Sequence, residues 1–209
     1  MLLSQLYLGS GLMMQATHGA LWMMAQRIGG LDQSGRNMVD DLASYQTRHS
    51  VSYTLEYPVS QPELWQLISR GGNLNECHPF CLENEVIDWE KDAHSDRLVY
   101  LNGMTYIRQF IHWEEGNGYA LIIGTEGGPQ SYVVWQLTEI SPRSTKLSIT
   151  VYPYLLAKLP KAISFLPYLL YIRPKLRTYL KSVLNGFSYY NATGKAVPRN
   201  HWGRHTWFS

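Results

Sequence analysis

Residues 57–69 read YPVSQPELWQLIS, and the fold turns on them. The residues before alternate, Val51, Tyr53, Leu55 and Tyr57 against Ser52, Thr54 and Glu56, which predicts a strand. Ser60 and Glu63 then have the spacing of a capping box. Pro62 falls in the first helical turn, where a missing N–H costs nothing. Leu64, Trp65, Leu67 and Ile68 give the helix an apolar face, and Gly71-Gly72 stops it. A helix this short does not stand alone in water. Its apolar face must rest on another element.

Downstream, alternating runs over 81–89, 96–102, 104–114, 118–125, 130–140 and 145–154 predict six more strands. The breaks between them are turn-like, and Asn102-Gly103 is a strong hairpin signal. Strands at hairpin spacing form an antiparallel meander, so the sheet has seven strands. Residues 153–173 form an apolar insertion broken by prolines, too interrupted for a bilayer span. Pro174 opens a long helix. Ile172, Leu176, Tyr179, Leu180, Val183, Leu184, Phe187 and Tyr190 recur at helical spacing, and Gly194 follows as the stop. The aromatic tail, residues 193–209, is expected to fold back onto the domain. The pattern is α+β: a curved seven-stranded antiparallel sheet around a long C-terminal helix, with the short helix plugging one end.

Residues 1–49 precede this domain. Met1 to Gln26 contain no Asp, Glu, Lys or Arg, and Gly9, Gly11, Gln5, Gln15 and His18 interrupt the apolar run. That argues against a secretory signal and a membrane span. The loose helical spacing of Leu3, Leu6, Met13, Leu21, Met24 and Ile28 suggests an amphipathic helical arm, lying on the domain or touching a membrane or partner. Residues 29–49 read as a linker with a short helix over 36–45.

Charge is divided along the chain. Residues 1–139 hold sixteen acids and seven bases, net −9; residues 140–209 hold eleven bases and no acid. Either the two parts neutralise each other in the fold or the basic part meets an anion. Arg173, Arg177 and Lys181 lie four apart, with Lys175 nearby, so they form a stripe on the long helix. Like charges at that spacing oppose each other, and the helix's positive end opposes them again. The compensating anion is the acidic part of the chain, lipid headgroups of an anionic membrane, or nucleic acid. No recognised nucleic-acid motif supports the last. Cys77 and Cys81 flank His78, but two thiols and one imidazole fall short of a zinc shell, so neither metal nor other cofactor is expected. Idle thiols fit a reducing, cytoplasmic setting, including the membrane's surface.

The chain resembles the START-like (SRPBCC) superfamily, the helix-grip fold of polyketide cyclases, lipid-transfer domains and birch-pollen-allergen-like proteins. The resemblance rests on YPVSQPELWQLIS, on VVWQLTEISPRSTKLSITVY as a late hairpin, and on RPKLRTYLKSVLNGFSYY as the closing helix. It covers residues 50–192. It implies a hydrophobic cavity between sheet and long helix, holding a hydrophobic small molecule or lipid. Some members of the superfamily carry such ligands and others cyclise or dehydrate them. No catalytic motif common to the superfamily carries over.

Within strand 104–114, Tyr106, Arg108, Phe110 and His112 share one face, and Ile107, Gln109, Ile111 and Trp113 the other. If the first set faces inward, Arg108 and His112 are candidates for orienting a ligand or for acid–base work. The more apolar second set is the expected inner face, which makes Gln109 the pocket dipole. Trp135, Tyr106, Phe110, Tyr179, Val183 and Phe187 are candidate ligand contacts, Trp135 being core otherwise. His78 near the mouth reads as a loop histidine or a gate to the pocket, and Glu126 beside Gly127-Gly128 as a turn residue or a catalytic carboxylate, the plainer reading being favoured for each. Arg173, Lys175, Arg177 and Lys181 are the candidate membrane or anion contacts.

Overall fold

Residues Val51–Tyr57 form β1, and their burial alternates as the sequence does. The capping box is present at α1 (Gln61–Ile68): Ser60 N–H donates to Glu63 Oε2 at 3.0 Å, and Glu63 N–H to Ser60 Oγ at 3.4 Å. Such a cap stabilises a helix by about 1 kcal/mol. The rest of its stability comes from packing, because Leu64, Trp65 and Ile68 are buried. A further short helix, α2 (Leu74–Cys77), follows. Six strands then run in succession: β2 (Cys81–Glu90), β3 (Ala93–Tyr100), β4 (Thr105–Glu114), β5 (Gly118–Gly124), β6 (Gln130–Ser141) and β7 (Ser144–Tyr152).

This is a computed structural model, and it describes residues 43–90 and 93–209. The expected N-terminal arm lies outside the described residues, as does most of the helix expected over 36–45; residues 43–46 are helical. Tyr45–Ser209 form one compact unit.

All pairings are antiparallel, in the order β1-β7-β6-β5-β4-β3-β2. Bulges in β2, between Phe110 and His112, and between Glu139 and Ser141 bend the sheet. The proline-broken insertion is helical from Lys161 on. α3 (Lys161–Pro167) runs through a π-helical turn (Tyr168–Ile172) into α4 (Arg173–Thr193). Pro167 and Pro174 cannot donate backbone hydrogen bonds, and the turn between them widens, with Arg173 N–H reaching Tyr168 O five residues back. α4 ends at Gly194, which adopts the left-handed conformation at φ 65°.

α4 lies across the concave face of the sheet, and one position fixes its depth. A Cβ on Gly186 would stand 2.0 Å from the Cys77 carbonyl oxygen, so only glycine lets α4 touch α2. Tyr57 Oη donates to the Leu184 carbonyl at 2.6 Å from the sheet side. The interior between sheet and helix is solid at one end and hollow at the other. At the solid end Trp65 meets Trp113 edge-on at 5.2 Å, Trp113 stacks on Tyr119 at 5.4 Å, and Phe187 meets Trp135 at 5.3 Å. This is where α1 plugs the sheet.

Candidate functional site

At the hollow end lies a cavity of about 670 Å³. That is within the range of about 300–1,000 Å³ usual for small-molecule sites. Its walls come from the inner faces of β3 to β7, from α4 and from the insertion. Leu98, Leu121, Val133, Ile149, Leu180 and Val183 make it mostly apolar. Pro167 and Tyr171, both exposed, and the half-buried Leu155 and Leu156 also line it, which marks its mouth at the insertion.

The tail completes a wall. Phe208 stacks on Tyr100 at 4.5 Å and packs against Tyr179 at 4.4 Å, and both Trp207 and Phe208 line the cavity. Asn102 Nδ2 donates to Trp207 O at 2.8 Å, Lys175 Nζ to Thr206 Oγ1 at 2.8 Å, and His205 Nε2 lies 3.1 Å from Lys175 O. The tail thus ties the β3–β4 turn to α4.

Besides Ser131 and a Tyr106–Tyr154 hydroxyl pair 3.3 Å apart, two polar features interrupt the apolar lining. The first is an ion pair. Arg108 on β4 stands directly opposite Asp96 on β3, and both are almost fully buried. Arg108 Nε donates to Asp96 Oδ1 at 2.7 Å, and Nη2 to Oδ2, a two-point clasp. Burial opposes the guanidinium's charge, and the Asp96 carboxylate more than offsets this, so the group stays protonated throughout the physiological range. Nη1 bonds to no group among the described residues, and Arg108 lines the cavity. A donor with its charge already neutralised therefore serves the interior.

The second feature is a relay of side chains. Phe80 N–H donates to His78 Nδ1 at 3.1 Å, which places the imidazole proton on Nε2. Nε2 lies 2.9 Å from Tyr179 Oη, and Tyr179 Oη lies 3.1 Å from Tyr100 Oη. Burial, then the nearby Arg108 charge, lower the His78 pKa to about 3, so the ring is neutral. Burial pushes Tyr179 up to about 12 and holds Tyr100 well above its ordinary value. With His78 donating to Tyr179, the two hydroxyls hold two protons and need only one for each other. One remains to offer to a guest.

The other candidates fall as follows. Trp135, Tyr106, Tyr179 and Val183 line the cavity. Phe187 belongs to the core and the half-buried Phe110 packs against it, both at the solid end, where aromatic rings fill the space a ligand would need. Gln109 is exposed: pairing of Arg108 with Asp96 and Ile123 turns the Tyr106 face inward and Gln109 outward. His112 leaves that face as well. The bulge after Phe110 breaks the alternation, and Trp113 continues the inward row in its place. Glu126 is an exposed turn residue. Cys77 and Cys81 are buried thiols, each pushed up to about 12, chiefly by desolvation.

The basic stripe is only partly free. Lys175 is bound to Thr206 and lies over Tyr171 at 4.9 Å; Arg177 lies over Tyr53 at 5.2 Å. Among the described residues none of Arg173, Lys175, Arg177 and Lys181 pairs with a carboxylate, because the ion-paired acids serve Arg70, Arg97 and Arg108.

Sequence reasoning missed Asp96, the His78–Tyr179–Tyr100 relay and the cavity-lining tail. Asp96 had a signal: it shares a strand face with Leu98 and Tyr100, and an acid on a buried face needs a partner. The relay had none, since its members come from three separate elements.

No protein-family model and no curated protein matches the chain. Solved structures do. A protein from Thermus thermophilus is 12% identical, with a TM-score of 0.55 over 70% of this chain and 99% of its own. A protein described as a START superfamily member from Mycobacterium smegmatis is 14% identical, with a TM-score of 0.53 over 67% of this chain and 94% of its own. DynU16, from the dynemicin biosynthetic locus, is 16% identical with a TM-score of 0.54; the match covers 70% of this chain. This chain spans about half of DynU16, 48% of its length. The fold is START-like, a helix grip.

Proposed function

We propose that this protein binds a hydrophobic small molecule or lipid in the cavity between sheet and α4, and carries it to or from an anionic membrane surface. The observation that supports this most is the cavity of about 670 Å³, mostly apolar, with the Arg108–Asp96 pair and the tyrosine relay among its few polar groups. Burial drives binding: a guest losing about 300 Å² of apolar surface gains roughly 7 kcal/mol before ordering costs. The polar groups orient it. Because Asp96 already neutralises Arg108, the pair favours a neutral oxygen, carbonyl or hydroxyl, over a carboxylate, whose charge would go uncompensated.

The alternative is a polyketide cyclase- or dehydratase-like enzyme using Arg108 or His112 as acid–base group. The fold leaves room for this. The surroundings of the two residues do not favour it: Asp96 holds Arg108 protonated, and His112 lies off the cavity face.

The test is mass spectrometry of lipid and small-molecule extracts from purified protein, beside uptake of an apolar naphthylamine dye. Val183→Trp, which fills the cavity, is expected to abolish dye uptake while leaving a cooperative thermal transition. Equal uptake by the filled variant would sink the reading.

A further inference from the structure

The insertion has an unusual surface. In α3 and the π turn only Ser164, Tyr168 and Ile172 are buried, four residues apart on one stripe. Around them Ile163 is 65% exposed, Leu166 60%, Leu170 70% and Tyr171 58%. A helix apolar all round belongs in a protein core or in lipid, and only the Ser164–Tyr168–Ile172 stripe of this one is buried in the protein.

The segment is pinned in shape. His49 stacks on Tyr168 at 4.3 Å, Tyr168 Oη donates to Ser50 O at 2.5 Å, and His49 Nε2 lies 3.1 Å from Ser164 Oγ. The apolar side chains are therefore presented on a fixed ridge. Lys158, Lys161 and Arg173 flank it, exposed and paired with no carboxylate among the described residues.

We infer that the ridge from Leu159 to Tyr171 is a docking element for an anionic phospholipid bilayer, with the apolar side chains in the headgroup boundary and the three basic groups against lipid phosphates. Charge separates this occupant from a second copy of the chain. Two copies meeting face to face would bring Lys158, Lys161 and Arg173 against their equivalents, with no acid anywhere in residues 140–209 to relieve them. A bilayer rich in anionic lipid satisfies both the apolar and the basic groups. Pro167 and Tyr171 belong to the ridge and also line the cavity, so docking sets the mouth on the membrane. The inference deepens the carrier reading and rests on it only for what passes through that mouth.

The experiment is co-sedimentation with vesicles of phosphatidylcholine alone and of equimolar phosphatidylcholine and phosphatidylglycerol. Wild-type protein is expected to bind the mixed vesicles and to lose binding at high salt. Leu166→Ser with Leu170→Ser should weaken binding about tenfold or more, as should Lys158→Glu, Lys161→Glu and Arg173→Glu together. Both variants alter exposed residues off the cavity and should keep dye uptake and melting temperature. Wild-type protein that ignores both vesicles overturns the inference, and so do variants that bind as well as wild type. A monodisperse dimer that the Leu166→Ser/Leu170→Ser variant dissociates, without any vesicle binding, overturns it in favour of a second copy. Loss of dye uptake with vesicle binding intact would strike the carrier reading alone.

Discussion

Asp96 and Arg108 face each other across β3 and β4, carboxylate against guanidinium, inside the wall of a mostly apolar cavity. Each is tolerable there only because of the other. Removing one partner of such a pair typically costs about 3–5 kcal/mol, whereas replacing both by apolar residues is often neutral. Asp96→Leu or Arg108→Met alone should therefore lower stability by roughly 3 kcal/mol, and the double variant by much less. Denaturant melts in a double-mutant cycle read this directly. Additive losses would mean that the two side chains are not coupled.

His78 should make the protein sensitive to acid. Its folded pKa, about 3, lies below the ordinary histidine value, so between the two the unfolded chain binds more protons. Stability is then complete above about pH 6.5 and falls as pH drops towards 3, by up to ~1.4 kcal/mol per pH unit. Urea melts from about pH 7 to 4 should show this slope, and His78→Gln should flatten it. An equal slope in the variant would clear His78 of the effect.

Gly186 should accept no side chain. Alanine is ordinarily the better helix former by about 1 kcal/mol. Here its methyl group would collide with the Cys77 carbonyl, so Gly186→Ala is expected to destabilise by about 2 kcal/mol or more. A rise in melting temperature would show that α4 and α2 do not approach so closely.

Phe208 should govern how long a guest stays. Its ring covers Tyr100 and Tyr179, and the backbone beside it is held by Asn102. Phe208→Ala removes part of the wall and leaves the sheet intact. Stopped-flow dye release should quicken by about tenfold, the equivalent of ~1.4 kcal/mol, beside a loss of stability of about 3 kcal/mol, because Phe208 is buried in the core. An unchanged release rate would move the exit elsewhere.

How much of this was legible beforehand depends on the range of the forces involved. The capping box at Ser60 and Glu63, the hairpin at Asn102-Gly103 and the stop at Gly194 are local chemistry, and each lies where the sequence places it. The inward face of β4 was not legible. Ile107, Ile111 and Trp113 outweigh Tyr106 and Arg108 in apolar character, yet a single bulge let the strand place both Arg108 and Trp113 inside. Periodicity sees neither a bulge nor a partner on the next strand. The helical character of 160–172 was hidden for a related reason: its prolines argue locally against a helix, and the π turn that reconciles them needs the tertiary anchor on His49 and Ser50.

The half-hollow interior has a consequence for the fate of the protein. Leu121, Val133 and Trp135 serve at once as core and as container, so the space they surround is missing cohesion whenever it stands vacant. In the proposed carrier, cargo would supply that cohesion, growing with the logarithm of its concentration. A carrier that had just unloaded would then be the one nearest to unfolding, and proteases would cull the empty population before the full one.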